Sequence, residues 1–299
     1  MGLKCFKNDT DLIHGLFATS CEEFMFNVTY LNLPYKNCTD IFKFHELEMG
    51  YCFVANNLID ASSYEELPLK FGARDTDYSL KLYLKVGFIW KYEMYVNSPE
   101  NLPHFDSVTY DVLSDPTVYL FNVEEYHNDI AVRHEPITSR LCKFPDEKDE
   151  GSPWHYSTST CMSYLRIQYE LKECNCTHFT SPKRYKSKYC DVEGLKCISD
   201  AQTSVKTKNY AIQNRACYPS CVEQLITTVG SIHLNKLETD GMAFVNIKIA
   251  NLPTVRYSRV VTATYLDLVV SVGGIIGLFV GISAINILEL FYWCLCRRN

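Results

Sequence analysis

The chain has no basic excess, no low-complexity tract, no internal repeat and, across its first 265 residues, no long apolar run. Its 29 Lys and Arg against 35 Asp and Glu leave a formal net charge of −6. With no basic stripe to displace phosphate counterions, nucleic acid is not the expected partner. A negative surface suits one that concentrates cations. Glycine (13) and proline (11) are sparse among 299 residues, which excludes collagen-like and linker-like architectures. No Ser/His/Asp set or paired-carboxylate motif stands out and the eight histidines are scattered, so catalysis is not expected. Neither a leader-like segment nor an apolar span precedes the body of the chain.

What is abundant points elsewhere. Twenty-one Tyr and 16 Phe mark an ordered, β-rich protein long enough for one large or two ordinary domains. Twelve of the 14 cysteines precede residue 268, and eight of them fall between Cys142 and Cys221. An even dozen at this density reads as a disulfide framework in an oxidising compartment. The Asn-x-Ser/Thr acceptor pattern occurs at Asn8, Asn27, Asn37 and Asn175, in agreement with an extracellular body. Zinc is the competing use for Cys174, Cys176, His178, Cys190 and Cys197, but structural zinc sites favour paired cysteines two to four residues apart in reducing compartments. Disulfides and no metal are the expectation.

Along the chain, Leu80, Leu82, Leu84 and Val86 alternate as in a half-buried strand, and "TVYLFNV" (117–123) and "GMAFVNIKIANL" (241–252) read as further strands. The run "DEKDE" (146–150) reads as a solvated loop. Between Ser157 and Cys176, the residues Met162, Leu165, Tyr169 and Lys172 recur at helical spacing behind a Ser/Thr cap.

From Leu268 to Leu288 no residue is charged, a stretch of roughly 31 Å as a helix and matched to a bilayer core. Asp267 and Glu289 bracket it. The cysteines place residues 1–265 outside the cell and the tail inside, leaving Cys294 and Cys296 as juxtamembrane thiols, either palmitoylated or unmodified. Gly273, Gly277 and Gly281 recur every fourth residue, a pattern that permits close helix crossing in lipid. Ser271, Ser283 and Asn286 add polarity inside the span, which a simple anchor does not need. A break near Gly281 would turn backbone carbonyls toward a passing ion.

The segment "LDLVVSVGGIIGLFVGISAINILELFYW" resembles the second membrane helix of the degenerin/epithelial sodium channel family, most of all its insect pickpocket subgroup. "MGYCFVANN", "VNSPENLP", "CYPSCVE" and "RYSRV" extend the resemblance over roughly residues 30–296. It implies an α+β fold: a disulfide-rich, β-rich ectodomain with a helical thumb, followed by one C-terminal transmembrane helix. The divisions would be palm, finger and β-ball at 1–141, a cysteine-rich thumb at 142–221, returning palm strands and wrist at 222–265, a pore helix at 266–293 and a cytoplasmic tail at 294–299. It implies a selectivity filter at Gly281, Ile282 and Ser283, with Val270, Ser271, Gly274, Gly277, Asn286 and Glu289 at the gate or lining the pore. It also implies the disulfides Cys142–Cys221, Cys161–Cys217, Cys174–Cys197 and Cys176–Cys190, with Cys5–Cys52 and Cys21–Cys38 in the outer part.

Function follows as an expectation: a subunit of a homo- or heterotrimeric, sodium-selective, amiloride-sensitive channel in the plasma membrane, needing no cofactor beyond the permeant sodium ion. The family's first membrane helix is not found in the sequence, which suggests a fragment of such a subunit. The alternatives are a non-conducting or truncated regulatory subunit and a single-pass, disulfide-rich receptor or adhesion ectodomain.

Overall fold

A computed structural model describes residues 20–70, 79–85, 92–104, 107–112, 115–201, 203–214, 216–234, 242–251, 255–281 and 283–296. Among them are eleven strands: β1 (Met25–Tyr30), β2 (Leu33–Tyr35), β3 (Phe42–Leu47), β4 (Gly50–Ala55), β5 (Ser79–Lys85), β6 (Tyr92–Met94), β7 (Tyr110–Val112), β8 (Thr117–Asn128), β9 (Gln224–His233), β10 (Met242–Ile249) and β11 (Val255–Arg259). The α-helices are α1 (Cys21–Phe24), α2 (Ile130–His134), α3 (Ile137–Arg140), α4 (Thr158–Cys174), α5 (Val192–Asp200), α6 (Thr203–Asn214), α7 (Tyr265–Val280) and α8 (Ala284–Cys296). The chain forms a mixed α+β structure with two compact units, residues 1–127 with 136–258, and residues 128–135 with 259–299.

In the larger unit a seven-stranded sheet runs in the order β11-β8-β10-β5-β1-β2, with β9 on β8. Register explains its core. Val28 faces Leu82 across β1 and β5, and Leu82 faces Val245 across β5 and β10. Period-two alternation therefore delivers Leu82, Leu84, Ala243 and Val245 to one buried face, joined by Tyr119 and Phe121 of β8. The alternation expected at Leu80, Leu82 and Leu84 is thus a strand, whereas Val86 lies outside the described residues. β10 and β8 pair in parallel, so the polypeptide between them must cross over. That crossover carries most of the cysteines.

Among the described residues five disulfides are present: Cys21–Cys38, Cys142–Cys221, Cys161–Cys217, Cys174–Cys197 and Cys176–Cys190. The last four are nested, with sequence separations of 79, 56, 23 and 14 residues. Cys5 lies outside the described residues, and so does the Cys5–Cys52 expectation; among the described residues Cys52 bonds to no other cysteine, and burial pushes its thiol up to about 11.

Helix α4 begins at a reciprocal cap. Ser157 Oγ accepts the Thr160 N–H at 3.1 Å, and Thr160 Oγ1 accepts the Ser157 N–H at 2.8 Å. The helix ends at Asn175 in the left-handed region, φ 55°. The helix and its cap are as the spacing predicts, but the residues that carried the spacing are not its buried face. Met162, Leu165 and Tyr169 are only half-buried and Lys172 is exposed, while Ser159, Ser163, Arg166, Ile167 and Glu170 face inward. Apolar periodicity could not find this face because it is polar.

Helix α5 packs Gly194 against the Cys176–Cys190 bridge. A β-carbon there would lie 2.5 Å from Cys176 Sγ and 2.8 Å from Cys190 Cβ. Gly194→Ala should therefore lower stability by about 1–3 kcal/mol, overriding the helix propensity that alanine adds. Thermal melting of the detergent-purified chain checks this, and an unchanged or raised midpoint would refute it.

Candidate pore segment

The uncharged stretch does not form one helix. It forms α7, 16 residues, and α8, 13 residues, parted at 281–283. Sixteen residues reach about 24 Å, short of the ~30 Å hydrocarbon core. Among the described residues no single helix is long and apolar enough to cross a membrane. The single membrane helix expected over 266–293 is thus two helices, α7 and α8, on either side of the Gly281 turn, where the sequence reading allows for a break.

The cause of the break is local. Thr264 opens α7 with a capping box, its Oγ1 accepting the Asp267 N–H at 3.2 Å while Asp267 Oδ2 accepts the Thr264 N–H at 2.8 Å. Asp267 is thus engaged at the positive end of the helix. Val270, Ser271, Gly274 and Gly277 all lie within α7. Gly281 then turns left-handed, φ 68°, donating its N–H to the Gly277 carbonyl at 3.1 Å. L-residues resist this conformation and glycine does not, so the sequence ends α7 here.

Beyond Gly281, Ser283 precedes α8. Its Oγ accepts the Asn286 N–H at 3.4 Å and donates to Asn286 Oδ1 at 3.2 Å. Ile282 lies outside the described residues. Asn286 and Glu289 both lie in α8, and Glu289 is the lone charge in the sequence between Asp267 and Arg297. The chemistry of such a break is directional. A helix C-terminus leaves carbonyl oxygens without intrahelical partners and carries partial negative charge. At the start of α8 one N–H, that of Asn286, is covered by Ser283 Oγ.

In the larger unit the structure distributes the remaining expected sites. Asn37 and Asn175 are exposed, Asn27 is half-buried in β1, and Asn8 lies outside the described residues. Cys174, Cys176, Cys190 and Cys197 are all consumed by disulfides. The acidic run is a largely solvated loop that also forms ion pairs: Glu147 pairs with Arg140, and Asp149 Oδ1 meets Lys143 Nζ at 2.6 Å.

One constellation escaped the sequence reading. Glu48, in the turn between β3 and β4, lies 2.9 Å from Arg166 Nε, and Arg166 Nη1 donates to Glu170 Oε1 at 2.6 Å. Ser163 Oγ donates to Glu48 Oε2 at 2.7 Å, while Thr177 Oγ1 at 2.6 Å and the His178 N–H at 3.1 Å donate to Glu170 Oε2. Burial, then repulsion from Arg166, holds the His178 ring below the usual histidine range. The one available sequence signal was the Arg166/Glu170 spacing of four, common on solvated helix faces.

The sequence profile described as amiloride-sensitive sodium channel matches residues 3–293. The chain belongs to the amiloride-sensitive sodium channel family. The family is one of sodium channels, and the relatives it matches are named as such or as pickpocket proteins. The chain is 21% identical to Pickpocket protein 28 of Drosophila melanogaster over 77% of its length, and 21% identical to Sodium channel protein Nach of Drosophila ananassae over 94%. The matches span 41% and 58% of those relatives' lengths.

Proposed function

We propose that this chain is a pore-forming subunit of a trimeric, sodium-selective, amiloride-sensitive channel, assembled with itself or with other family subunits in the plasma membrane. The observation that carries this reading is the interrupted helix at Gly281. In hydrocarbon, irregular backbone is tolerated only where protein buries it or it lines a watery cavity. A simple anchor would gain nothing from a left-handed glycine, a serine and an asparagine at mid-span. In this reading α7 and α8 together span the bilayer, with Gly281, Ile282 and Ser283 as the filter. Val270, Ser271, Gly274 and Gly277 line the approach, and Asn286 and Glu289 the inner side. Residues 1–141, 142–221 and 222–265 form the palm and finger region, the thumb, and the returning strands and wrist outside the cell. The tail from Cys294 is cytoplasmic.

The test is electrical. The tagged chain, expressed alone and with other family subunits, should add an amiloride-blocked inward current that shrinks when external sodium is replaced by a large organic cation. Normal surface biotinylation with no added current in any combination would overturn the pore-forming role.

A further inference from the structure

The acceptor Asn175 sits in a conformation that the folded chain cannot offer to a glycosylating enzyme. Asn-x-Thr is read by enzyme contacts to both the asparagine amide and the threonine hydroxyl, so both must be reachable. Asn175 itself is exposed. Thr177 is fully buried, its Oγ1 donating to Glu170 at 2.6 Å and lying 2.7 Å from Ser181 Oγ. Its backbone is held too: the Thr177 N–H donates to the Lys188 carbonyl at 2.9 Å, and its carbonyl accepts from Cys190 at 3.0 Å. Asn175 is left-handed, φ 55°, between two cysteines that are both bridged, Cys174 to Cys197 and Cys176 to Cys190.

Asn37 is different. It is extended, φ −121° and ψ 134°, its side chain makes no capping bond, and Asn37 and Thr39 are both exposed. Its neighbour Cys38 is bridged backward to Cys21, which leaves this acceptor presented in the folded state.

We infer that Asn175 is an N-glycosylation site filled only before the Cys174–Cys197 and Cys176–Cys190 bridges close, so that glycan transfer and disulfide formation compete there. Asn37 is filled independently of folding. The inference rests on the extracellular reading of residues 1–265. The donor is a dolichyl-pyrophosphate-linked oligosaccharide. Asn175 Nδ2 forms a bond to the anomeric carbon as that carbon's bond to the pyrophosphate oxygen breaks. The amide nitrogen gives up one proton to a base, and the pyrophosphate leaves with the bonding pair. Timing permits the reaction, because Cys190 and Cys197 follow the acceptor in the emerging chain and disulfide formation takes seconds or longer.

The full chain is expressed in cultured human cells with and without a brief pulse of membrane-permeant dithiol, and as Cys190→Ser with Cys197→Ser. Enzymatic deglycosylation in heavy-oxygen water followed by peptide mass spectrometry reads occupancy at each asparagine. Attachment precedes folding, so the readout does not require the variants to fold. Occupancy at Asn175 should rise at least about twofold when closure is delayed, with Asn37 unchanged. Asn175 occupancy that stays constant, high or low, while Asn37 carries glycan would overturn the inference. Both sites bare under every condition would instead overturn the extracellular reading.

Discussion

Gly281→Val is expected to abolish sodium current while leaving delivery to the cell surface largely intact. The argument turns on conformation rather than on space. A β-carbon at Gly281 meets nothing within 4 Å, so bulk alone displaces no neighbour within the chain. The backbone sits at φ 68°, however, where an L-residue costs about 1–2 kcal/mol and a β-branched one is an outlier. Valine should relieve this by drawing the 281–283 segment toward a continuous helix, which withdraws the free carbonyls from the gap. Gly281→Asn is the discriminating control, since asparagine tolerates the left-handed region. It should retain clearly more current than Gly281→Val despite its comparable size. Paired recordings and surface biotinylation decide the matter. Equal loss in both variants would mean that side-chain bulk rather than backbone geometry matters there, and full current in Gly281→Val would remove Gly281 from the filter. Ser283→Cys, which perturbs the 3.2 Å contact to Asn286 Oδ1, should shift sodium-to-potassium selectivity in the same assay.

How much of this was legible in the sequence depended on what kind of interaction decides each element. The sheet was readable because its core strands alternate. Leu82, Leu84 and Val245 are apolar where the face is buried, and Lys81, Asn246 and Lys248 are polar where it is not. The break at Gly281 was readable as well, because glycine is the residue that a left-handed position selects. The extent of the apolar stretch, by contrast, misled. Hydropathy counts charges and cannot register a backbone that stops hydrogen bonding, so the apolar stretch by itself reads as one span, and only its glycines and polar residues point to the break. Helix α4 was legible as a helix, but its buried face was not. Its buried side is Ser159, Ser163, Arg166 and Glu170, and only partners from distant segments make burying such residues tolerable. Glu48 is more than a hundred positions away, and no local pattern announces it. The acidic run at 146–150 is a largely solvated loop, as its charge suggests; its ion pairs with Arg140 and Lys143 were not legible, for the same reason.

Arg166→Met should be the most damaging single substitution in the larger unit. Arg166 is set between two carboxylates whose side chains are nearly buried, Glu48 at 6% and Glu170 at 1% exposure. Methionine keeps much of the length and packing of the arginine stem but leaves both carboxylates without a counter-charge. Removing one partner of a buried ion pair costs about 3–5 kcal/mol, whereas replacing the whole set with neutral groups of similar shape is often tolerated. A loss of that size is a large share of the about 5–15 kcal/mol that holds a typical domain together. Most of the variant should therefore be retained inside the cell, and the purified fraction should melt well below the parent. The triple variant Arg166→Met, Glu48→Gln, Glu170→Gln supplies the contrast. It keeps the shape without charge, and glutamine can still accept from Ser163 and Thr177, so it should recover a substantial part of both surface density and melting temperature. An Arg166→Met protein that reaches the surface and melts like the parent would show that water or the surrounding hydroxyls already neutralise the site. A triple variant as impaired as the single one would show that guanidinium geometry, rather than charge balance, joins the β3–β4 turn to α4.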